Sequence, residues 1–361
     1  MHILHVVGAR PNFMKAAPVY RALAAKDLKQ TLIHTGQHYD AQMSDVFFRQ
    51  LEIPEPDENL SVGSASHAQQ TAAIMSGFEP ILLSRRPDLV LVYGDVNSTV
   101  AAALVCSKLG VRVGHVEAGL RSFDRTMPEE INRRLTDQLA DILFTPSGDG
   151  DENLVREGIA RDKIFFVGNV MIDTLMRLLP NADLAFARLK AELSLDAYGL
   201  ITLHRPSNVD DADVFVPMLE TLDQLSKVLP LVFPVHPRTR NKWKQLLDKC
   251  NSRLCVVEPL GYVEFLGLQK NAKVIITDSG GIQEESTYLG KPCITLRENT
   301  ERPITIAMGT NVLVGHDWHL LRARFHEALN GRRTNGVLPP LWDGKASIRI
   351  ADILSNCSFA A

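Results

Sequence analysis

Short apolar runs alternate with longer stretches of helical character along almost the whole chain of 361 residues. Strands that are apolar on both faces are typical of parallel sheets covered by helices. The first half predicts strands at 2–7, 30–35, 89–94, 111–116, 141–144 and 163–167, and helices at 12–26, 66–84, 98–109 and 129–140. The second half predicts strands at 199–203, 231–235, 253–257, 273–277 and 292–296, and helices at 212–229, 238–249, 262–270, 280–289 and 317–330. This alternation indicates an α/β protein with two doubly wound, Rossmann-like domains.

The stretch between the two halves carries no strand signal and contains Pro180. We therefore expect an N-terminal Rossmann-like domain over 1–170, a connecting segment over 171–198 and a C-terminal Rossmann-like domain over 199–340. At about 345–358 the pattern predicts a last helix, which a two-domain protein of this class can pack back on its first domain.

The composition argues against a nucleic-acid-binding, membrane-spanning or disulfide-rich protein. The chain has 39 Lys and Arg against 42 Asp and Glu, whereas proteins that grip nucleic acid through phosphates usually carry a basic excess. No apolar run reaches the ~18 residues of a membrane span, and the apolar N-terminal stretch is followed rather than preceded by positive charge, unlike a signal peptide. Five cysteines without a C-x-x-C pair predict neither a disulfide framework nor a zinc ribbon. We expect a reduced, cytoplasmic protein.

Ligands of open parallel sheets bind beyond the carboxyl ends of the strands, so the loops there hold the candidate chemistry. The first loop, 8–12, lacks both the dinucleotide fingerprint and the P-loop pattern, but it places Arg10 at a helix start and Lys15 one turn later. Both side chains suit phosphate oxygens, and solvated side chains on an ordinary turn are the alternative.

Acidic residues follow the next strands. Asp95 ends the strand at 89–94, Glu117 ends the strand at 111–116, and Glu129 and Glu130 follow Pro128 at a helix start. Each has a structural alternative, because Asp95 can bond its own turn and glutamates suit a helix N-terminus. Together, however, they predict one acidic edge, and crowded acids have pKa values pushed apart, which supplies an acid and a base.

The second half offers basic loops. His204 is followed by Arg205, and His236 lies two residues before Arg238, at the ends of successive predicted strands, which favours an anion site over two structural histidines. His316 and His319 fall in a predicted surface turn, and no H-E-x-x-H pattern exists, so no metal site is predicted.

A glycine-rich turn gives the strongest local signal. A strand runs into Ser279, Gly280 and Gly281 and then into a helix that carries Glu285. Two glycines let backbone N–H groups approach an anion, and Glu285 lies where it could accept hydrogen bonds from ribose hydroxyls. A capping turn with a solvated glutamate pair is the alternative.

Taken together, these loops resemble the non-hydrolysing UDP-N-acetylglucosamine 2-epimerases. The similar strings follow one another over about 8–315: GARPNFMKAAP (8–18), YGDVNST (93–99), GHVEAGLRS (114–122), MPEEINR (127–133), LHRPSNVD (203–210), PVHPR (234–238), TDSGGIQEE (277–285), LGKPCITLR (289–297) and NTERP (299–303). An ordered set of this kind is far more specific than any single string.

The resemblance implies a glycosyltransferase-B type fold with the active site in an interdomain cleft. It implies an isomerase that interconverts UDP-GlcNAc and UDP-ManNAc by eliminating UDP to 2-acetamidoglucal and adding it back, without a cofactor. The catalytic residues expected from it are Asp95, Glu117, Glu129 and His204. The expected substrate-binding and UDP-binding residues are Arg10, Lys15, Arg133, Arg205, His236, Ser279, Gly280, Gly281, Glu285 and Arg302. Which carboxylate removes the proton stays open, and Glu130 is an alternative to Glu129.

Two departures from the family pattern concern regulation. Many bacterial members carry Q-H-R followed by a Gln, and H-R-R-E, where this chain has 37–40 (QHYD) and 204–207 (HRPS). Activation by UDP-GlcNAc at a second site therefore stays open, and Gln37, Gln70, Arg205 and His236 remain. The stretches 34–40 and 121–133 are also similar to relatives acting on UDP-2,3-diacetamido-uronic acids, so the sugar substituents at C3 and C6 stay open.

Three other functions fit the same sequence: a glycosyltransferase of the same fold, a nucleotide-sugar sensor and a hydrolysing epimerase. The expected partner is a UDP-sugar substrate, without nucleic acid or membrane. Relatives imply a homodimer and a role in cell-surface polysaccharide synthesis.

Overall fold

The computed structural model describes residues 1–37, 51–251, 253–331 and 336–356, except for the side chains of Arg10 and Arg238. The chain forms two compact units. The first unit consists of Met1–Thr174 together with Pro340–Ala361, and the second of Leu175–Pro339.

The first unit contains a seven-stranded parallel sheet with the order β3-β2-β1-β4-β5-β6-β7. Its strands are β1 (His2–Val7), β2 (Lys29–His34), β3 (Glu58–Asn59), β4 (Leu89–Tyr93), β5 (Arg112–Val116), β6 (Ile142–Thr145) and β7 (Ile164–Phe166). Six of these strands confirm the sequence prediction. The analysis misses β3, because two polar residues give no apolar run.

Helices cover this sheet, and their apolar faces bury a core with Leu4, Val90 and Phe78. Among the described residues they are, in chain order, α1 (Arg10–Ala24), α2 (His67–Arg85), α3 (Asn97–Leu109), α4 (Pro128–Leu139) and α5 (Gly148–Arg156), with a 3₁₀ turn at Arg161–Lys163. The next helix, α6 (Val170–Glu192), begins in the first unit, and from Leu175 onward it belongs to the second. The four predicted helices correspond to α1 to α4. Helix α6 occupies most of the segment expected to connect the domains, and Pro180 lies inside it.

The second unit contains a six-stranded parallel sheet with the order β10-β9-β8-β11-β12-β13. Its strands are β8 (Gly199–Thr202), β9 (Leu231–Pro234), β10 (Leu254–Val257), β11 (Ile275–Thr277), β12 (Cys293–Thr295) and β13 (Asn311–Leu313). Its helices are α7 (Pro206–Val209), α8 (Ala212–Ser226), α9 (Pro237–Leu247), α10 (Tyr262–Asn271), α11 (Gly280–Tyr288), α12 (Ile304–Ala307) and α13 (Trp318–Leu329). The five predicted strands are confirmed, and the three-residue β13 was not predicted.

The last helix, α14 (Ala346–Asn356), belongs to the first unit and packs against α1. The Asp173 carboxylate accepts hydrogen bonds from the backbone N–H groups of Ala346 (3.2 Å) and Ser347 (2.7 Å), which satisfies donors that a helix start leaves unpaired. The predicted end of this helix, at 358, lies outside the described residues.

Both sheets have one position where the strand order reverses, between β1 and β4 and between β8 and β11. Loops that leave such neighbouring strands in opposite directions open a crevice at the carboxyl ends, where ligands of this fold class bind. We therefore expect the candidate site residues to lie at these two positions.

Two further observations concern the described residues. Among their helices, none combines the length and the apolar composition needed to cross a membrane. The four cysteines described, Cys106, Cys250, Cys255 and Cys293, are free thiols.

Candidate active site

The loop after β1 is fastened to β4 by Asn12. Its Oδ1 accepts hydrogen bonds from the N–H groups of Gly8 (3.2 Å) and Ala9 (3.0 Å), and its Nδ2 donates to the Tyr93 carbonyl at 2.7 Å. A Cβ at Gly8 would lie 2.0 Å from Ser98 Oγ, so this close approach requires glycine. The side chain of Arg10, expected to contact phosphate, lies outside the described part of the structure.

Lys15 and Glu117 form a buried ion pair at the carboxyl ends of β1 and β5. Lys15 Nζ lies 2.7 Å from Glu117 Oε1, and both side chains are less than a tenth exposed. Gly94 makes room for this pair, because a Cβ there would meet Lys15 Nζ at 2.6 Å. Glu117 itself has a φ of +74°, a left-handed conformation that a residue with a Cβ adopts at a cost. The backbone thus holds this carboxylate in a strained position, a feature typical of functional sites.

Arg133 connects two more acids. Its Nε donates to Asp95 Oδ2 at 3.2 Å, its Nη2 pairs with the same oxygen, and its Nη1 lies 2.5 Å from Glu130 Oε2. Asn132 Nδ2 adds a hydrogen bond to the Asp95 carbonyl at 3.0 Å. Arg133, which the sequence suggested as a substrate-binding residue, is buried, and it fixes the Asp95 carboxylate.

The two glutamates at the start of α4 have different surroundings. Glu130 is fully buried, and its Oε2 also accepts hydrogen bonds from the backbone N–H and the hydroxyl of Ser122, both at 2.9 Å. Glu129 is exposed. Of the two, Glu129 is thus the one accessible to a ligand, whereas Glu130 shapes the loop after β5.

His115 and Asp137 are buried in the first unit and were not singled out from the sequence. Asp137 lies 2.6 Å from His115 Nδ1 and 2.7 Å from Nη1 of Arg121, which is also buried. The signal for Asp137 in the sequence is the polar face of α4, which is buried at Glu130, Arg133 and Asp137. Amphipathic helices usually bury their apolar face, and here that expectation is reversed.

Gln37 and Gln70, the glutamines kept from the family's second site, are buried within the first unit. Gln37 Oε1 accepts hydrogen bonds from the backbone N–H (3.1 Å) and hydroxyl (2.7 Å) of Ser98. Gln70 Nε2 donates to the carbonyls of Gln37 (3.2 Å) and Gly63 (2.8 Å). The neighbouring residues 38–40, which depart from the family pattern, lie outside the described residues.

In the second unit, Asp278 organises the loop after β8. This buried carboxylate accepts hydrogen bonds from the backbone N–H groups of His204 (3.0 Å) and Arg205 (2.9 Å), and from Asn208 Nδ2 (3.0 Å). His204 Nδ1 lies 3.0 Å from Asp278 Oδ1, while the His204 side chain is 58% exposed. Burial opposes ionisation of Asp278, but the contacts with His204, Asn208 and Arg205 outweigh it and lower its pKa. Asp278 therefore orients the imidazole ring through Nδ1, while more than half of the side chain is accessible to solvent.

The turn 279–281 ends β11 and opens α11. A Cβ at Gly280 would lie 2.5 Å from Arg302 Nη1, whereas a Cβ at Gly281 would meet no atom within 4 Å. The first N–H groups of a helix have no partner inside the helix, and they attract anions. Arg302 packs against this helix start, so the turn combines N–H donors with a guanidinium group.

Glu301 gathers three arginines of the second unit. Its carboxylate lies 2.7 Å from Arg297, 3.4 Å from Arg205 and 3.6 Å from Arg302, and Arg302 Nε also lies 3.0 Å from Glu284 Oε1. Three guanidinium groups thus face two carboxylates. The excess of positive charge in this loop cluster lies next to a helix N-terminus, an arrangement suited to an anion.

Glu285 lies one turn into α11 and is buried. Its Oε1 accepts a hydrogen bond from the Tyr262 hydroxyl at 2.9 Å, and burial, reinforced by the charge of Glu284, raises the pKa of Glu285 to about 7. His236, the remaining candidate, is exposed and follows β9.

Comparisons with known proteins agree with these observations. The model of the UDP-N-acetylglucosamine 2-epimerase family matches residues 21–355. The chain is 43% identical to the UDP-N-acetylglucosamine 2-epimerase of Methanocaldococcus jannaschii, over 98% of this chain and 99% of the relative. It is 42% identical to the UDP-2,3-diacetamido-2,3-dideoxy-D-glucuronate 2-epimerase of Pseudomonas aeruginosa, over 99% and 100%.

A solved structure gives the same result. The crystal structure of the M. jannaschii UDP-GlcNAc 2-epimerase in complex with UDP-GlcNAc and UDP is similar to this chain with a TM-score of 0.92 and 42% identity. The similarity covers 99% of this chain and 100% of that structure. The chain therefore belongs to the UDP-N-acetylglucosamine 2-epimerase family.

Proposed function

We propose that this protein is a non-hydrolysing 2-epimerase that interconverts UDP-GlcNAc and UDP-ManNAc. The observation that carries the proposal is the Lys15–Glu117 ion pair, in which a buried carboxylate is held by a left-handed backbone. A protein that only bound a nucleotide would need no such strained acid. The family membership of the chain supplies the reaction class.

The second unit is proposed to bind UDP. The N–H groups of 280–281 and the guanidinium groups of Arg205 and Arg302 would hold the diphosphate, because these donors are preorganised for negative charge. The ribose hydroxyls would donate to Glu285. The exposed side of His204 would donate to a phosphate oxygen, which stabilises UDP as the leaving group.

The first unit is proposed to move the proton. A carboxylate accepts the C2 proton, the C1–O bond breaks, and its electrons leave with the β-phosphate of UDP, which gives 2-acetamidoglucal. UDP then adds back at C1, and a proton reaches C2 from the opposite face. Two faces require two acid–base groups. Asp95, Glu117 and Glu129 are the candidates, and each can take either role.

Isotope exchange tests the proposal. UDP-GlcNAc incubated with the protein in deuterated water should yield UDP-ManNAc, with deuterium at C2 of both sugars. Unlabelled sugars at equilibrium would refute the mechanism. Free UDP accumulating in step with ManNAc would indicate a hydrolysing epimerase, and sugar consumed only with an acceptor would indicate a glycosyltransferase. Binding without turnover would indicate a sensor.

A second substrate is supported by the comparisons. The identity to the diacetamido-glucuronate epimerase, 42%, is close to the 43% found for the UDP-GlcNAc epimerase. Both reactions invert C2, which carries an acetamido group, and the two substrates differ at C3 and C6. The ratio of kcat/KM for the two substrates, measured in the same exchange assay, decides between them.

The proposal also includes a homodimer in the cytoplasm that supplies a sugar donor for cell-surface polysaccharide. The free cysteines are consistent with a reducing compartment. Sedimentation equilibrium tests the oligomeric state, because a monomer at micromolar concentration would refute the dimer.

A further inference from the structure

Tyr262 is the first residue of α10, and its hydroxyl group lies beside the buried carboxylate of Glu285 on α11. The hydroxyl donates a hydrogen bond to Glu285 Oε1 at 2.9 Å. Glu285 is 2% exposed, and Oε2, its second carboxylate oxygen, accepts no hydrogen bond from the part of the chain that the structure describes. The carboxylate is thus held at one oxygen and unsatisfied at the other.

The other polar side chains around Glu285 are engaged elsewhere. Glu284, its neighbour on α11, lies 3.0 Å from Arg302 Nε. Gln269 of α10 also lies near the Glu285 carboxylate, but it directs its Nε2 to Ser286 Oγ at 3.4 Å. Among the described residues no cation forms an ion pair with Glu285. The orientation of this carboxylate therefore depends on the tyrosine hydroxyl described above.

The direction of this hydrogen bond is fixed above neutral pH. Burial raises the pKa of Glu285 to about 7, although the hydrogen bond from Tyr262 opposes the rise, so at pH 8.5 the ionised carboxylate can only accept. Burial and the charge of Glu285 also raise the pKa of Tyr262, so the hydroxyl keeps the proton that it donates. A buried carboxylate oxygen without a donor is costly, and a ligand that brings hydroxyl groups removes this cost.

The ribose of UDP carries two adjacent hydroxyl groups, which are the donors that Glu285 Oε2 lacks. We propose that Tyr262 is a positioning residue for Glu285: it holds Oε1 so that Oε2 accepts from the ribose, and it thereby makes the site selective for ribonucleotides. This inference rests on the proposed binding of UDP by the second unit. The selectivity arises because a sugar without hydroxyl groups would leave Oε2 buried and unpaired. No contact between Tyr262 and the nucleotide is required.

Calorimetric titration with UDP and with 2′,3′-dideoxy-UDP at pH 8.5 tests the selectivity. The measured quantity is the ratio of the two dissociation constants. The parent protein should bind UDP at least about tenfold more tightly, because it is a charged group that accepts the lost hydrogen bonds. Tyr262→Phe removes one oxygen atom and should lower this ratio about threefold or more by weakening the binding of UDP alone. An unchanged ratio in the folded variant would overturn the proposal.

Tyr198→Phe is the matched control. Tyr198 is 1% exposed, and its hydroxyl donates to the Leu268 carbonyl of α10, the helix that carries Tyr262, at 2.7 Å. Removal of this hydroxyl should lower the unfolding temperature and leave the ratio of dissociation constants within about twofold of the parent. A ratio that falls equally in both variants would indicate a general loss of stability and contradict a specific role for Tyr262.

A second pair of variants decides the question if Tyr262→Phe fails to fold. Glu285→Ala should abolish the selectivity, and adding Tyr262→Phe should change the ratio no further, because no carboxylate is left to position. A further loss would show that Tyr262 acts on the nucleotide directly, which overturns the positioning role.

Failure of the proposed function gives different results. A parent protein that binds neither nucleotide would refute the UDP site and this inference with it, whereas equal binding of both nucleotides would overturn this inference alone. Absence of C2 exchange would refute the epimerase function, and the ratio of dissociation constants would still decide the role of Tyr262.

Discussion

Replacing Gly281 by alanine separates the stability of the second unit from its ability to bind phosphate. A Cβ at this position meets no protein atom within 4 Å, and the residue has no positive φ. Alanine in a helix is favoured over glycine by about 0.5–1 kcal/mol, so Gly281→Ala should raise the unfolding temperature of this unit by roughly 1–4 °C. The protein should therefore become more stable.

The same methyl group would occupy the space into which a diphosphate must come to reach the helix N–H groups. Loss of one charge-assisted hydrogen bond costs about 1.5–3 kcal/mol, or roughly 10- to 150-fold in affinity for UDP. Isothermal titration calorimetry with UDP measures this loss. Gly148→Ala is the matched control, because Gly148 opens α5 in the first unit with the same open surroundings, and it should leave UDP affinity unchanged. Full UDP affinity in Gly281→Ala would refute phosphate binding at this turn.

Three further predictions concern carboxylates. Lys15→Met should lower the free energy of unfolding, measured by urea titration, by about 3–5 kcal/mol, because Glu117 stays buried without its cation. Adding Glu117→Gln should recover this stability, whereas C2 exchange, measured in deuterated water, should not return. Glu129→Gln should change the free energy of unfolding by less than about 0.5 kcal/mol and slow C2 exchange. Glu130→Gln should instead destabilise the first unit by about 2 kcal/mol or more, because Glu130 is buried and hydrogen-bonded. If thermal melts show the larger loss of stability for Glu129→Gln, the assignment of the two roles is wrong. Glu285 has a pKa of about 7 when folded, against 4.5 for an ordinary glutamate, so the folded state retains a proton that the unfolded state releases. The contribution of Glu285 to stability should therefore fall as pH rises from about 4.5 to 7, by up to about 3 kcal/mol, and Glu285→Gln should reduce the slope in urea titrations by that amount.

The long apolar strands could be predicted from the sequence, because strands buried on both faces leave a continuous apolar run. The short edge strands could not. In β3, Glu58–Asn59, the residues are polar and join the sheet only by pairing with β2. In β13, Asn311–Leu313, three residues suffice because β12 supplies the partner. Such elements depend on tertiary pairing rather than on their own pattern.

The acids at the strand ends could be found by the rule that ligands bind at the carboxyl edge. The partners of these acids could not be predicted from the sequence, because they depend on which side chains the fold buries. Ile131 and Leu135 of α4 are exposed while Glu130 and Asp137 are buried, and the helical period is the same whichever face turns inward. Asp278 was part of a motif string, and only the neighbouring position of β8 and β11 shows that it holds His204.

The two units place their buried charges differently, and this difference favours an enzyme over a sensor. In the second unit three guanidinium groups surround two carboxylates, which leaves an excess of positive charge suited to the proposed binding of UDP. In the first unit Lys15 is matched to Glu117 and Arg133 to Asp95, and buried pairs of this kind contribute little net stability. The left-handed backbone of Glu117 adds a strain of about 1–3 kcal/mol. Nucleotide binding alone gains nothing from these costs, whereas proton transfer at C2 needs carboxylates held in fixed positions. The strained acid of the first unit is therefore best explained by chemistry on the sugar.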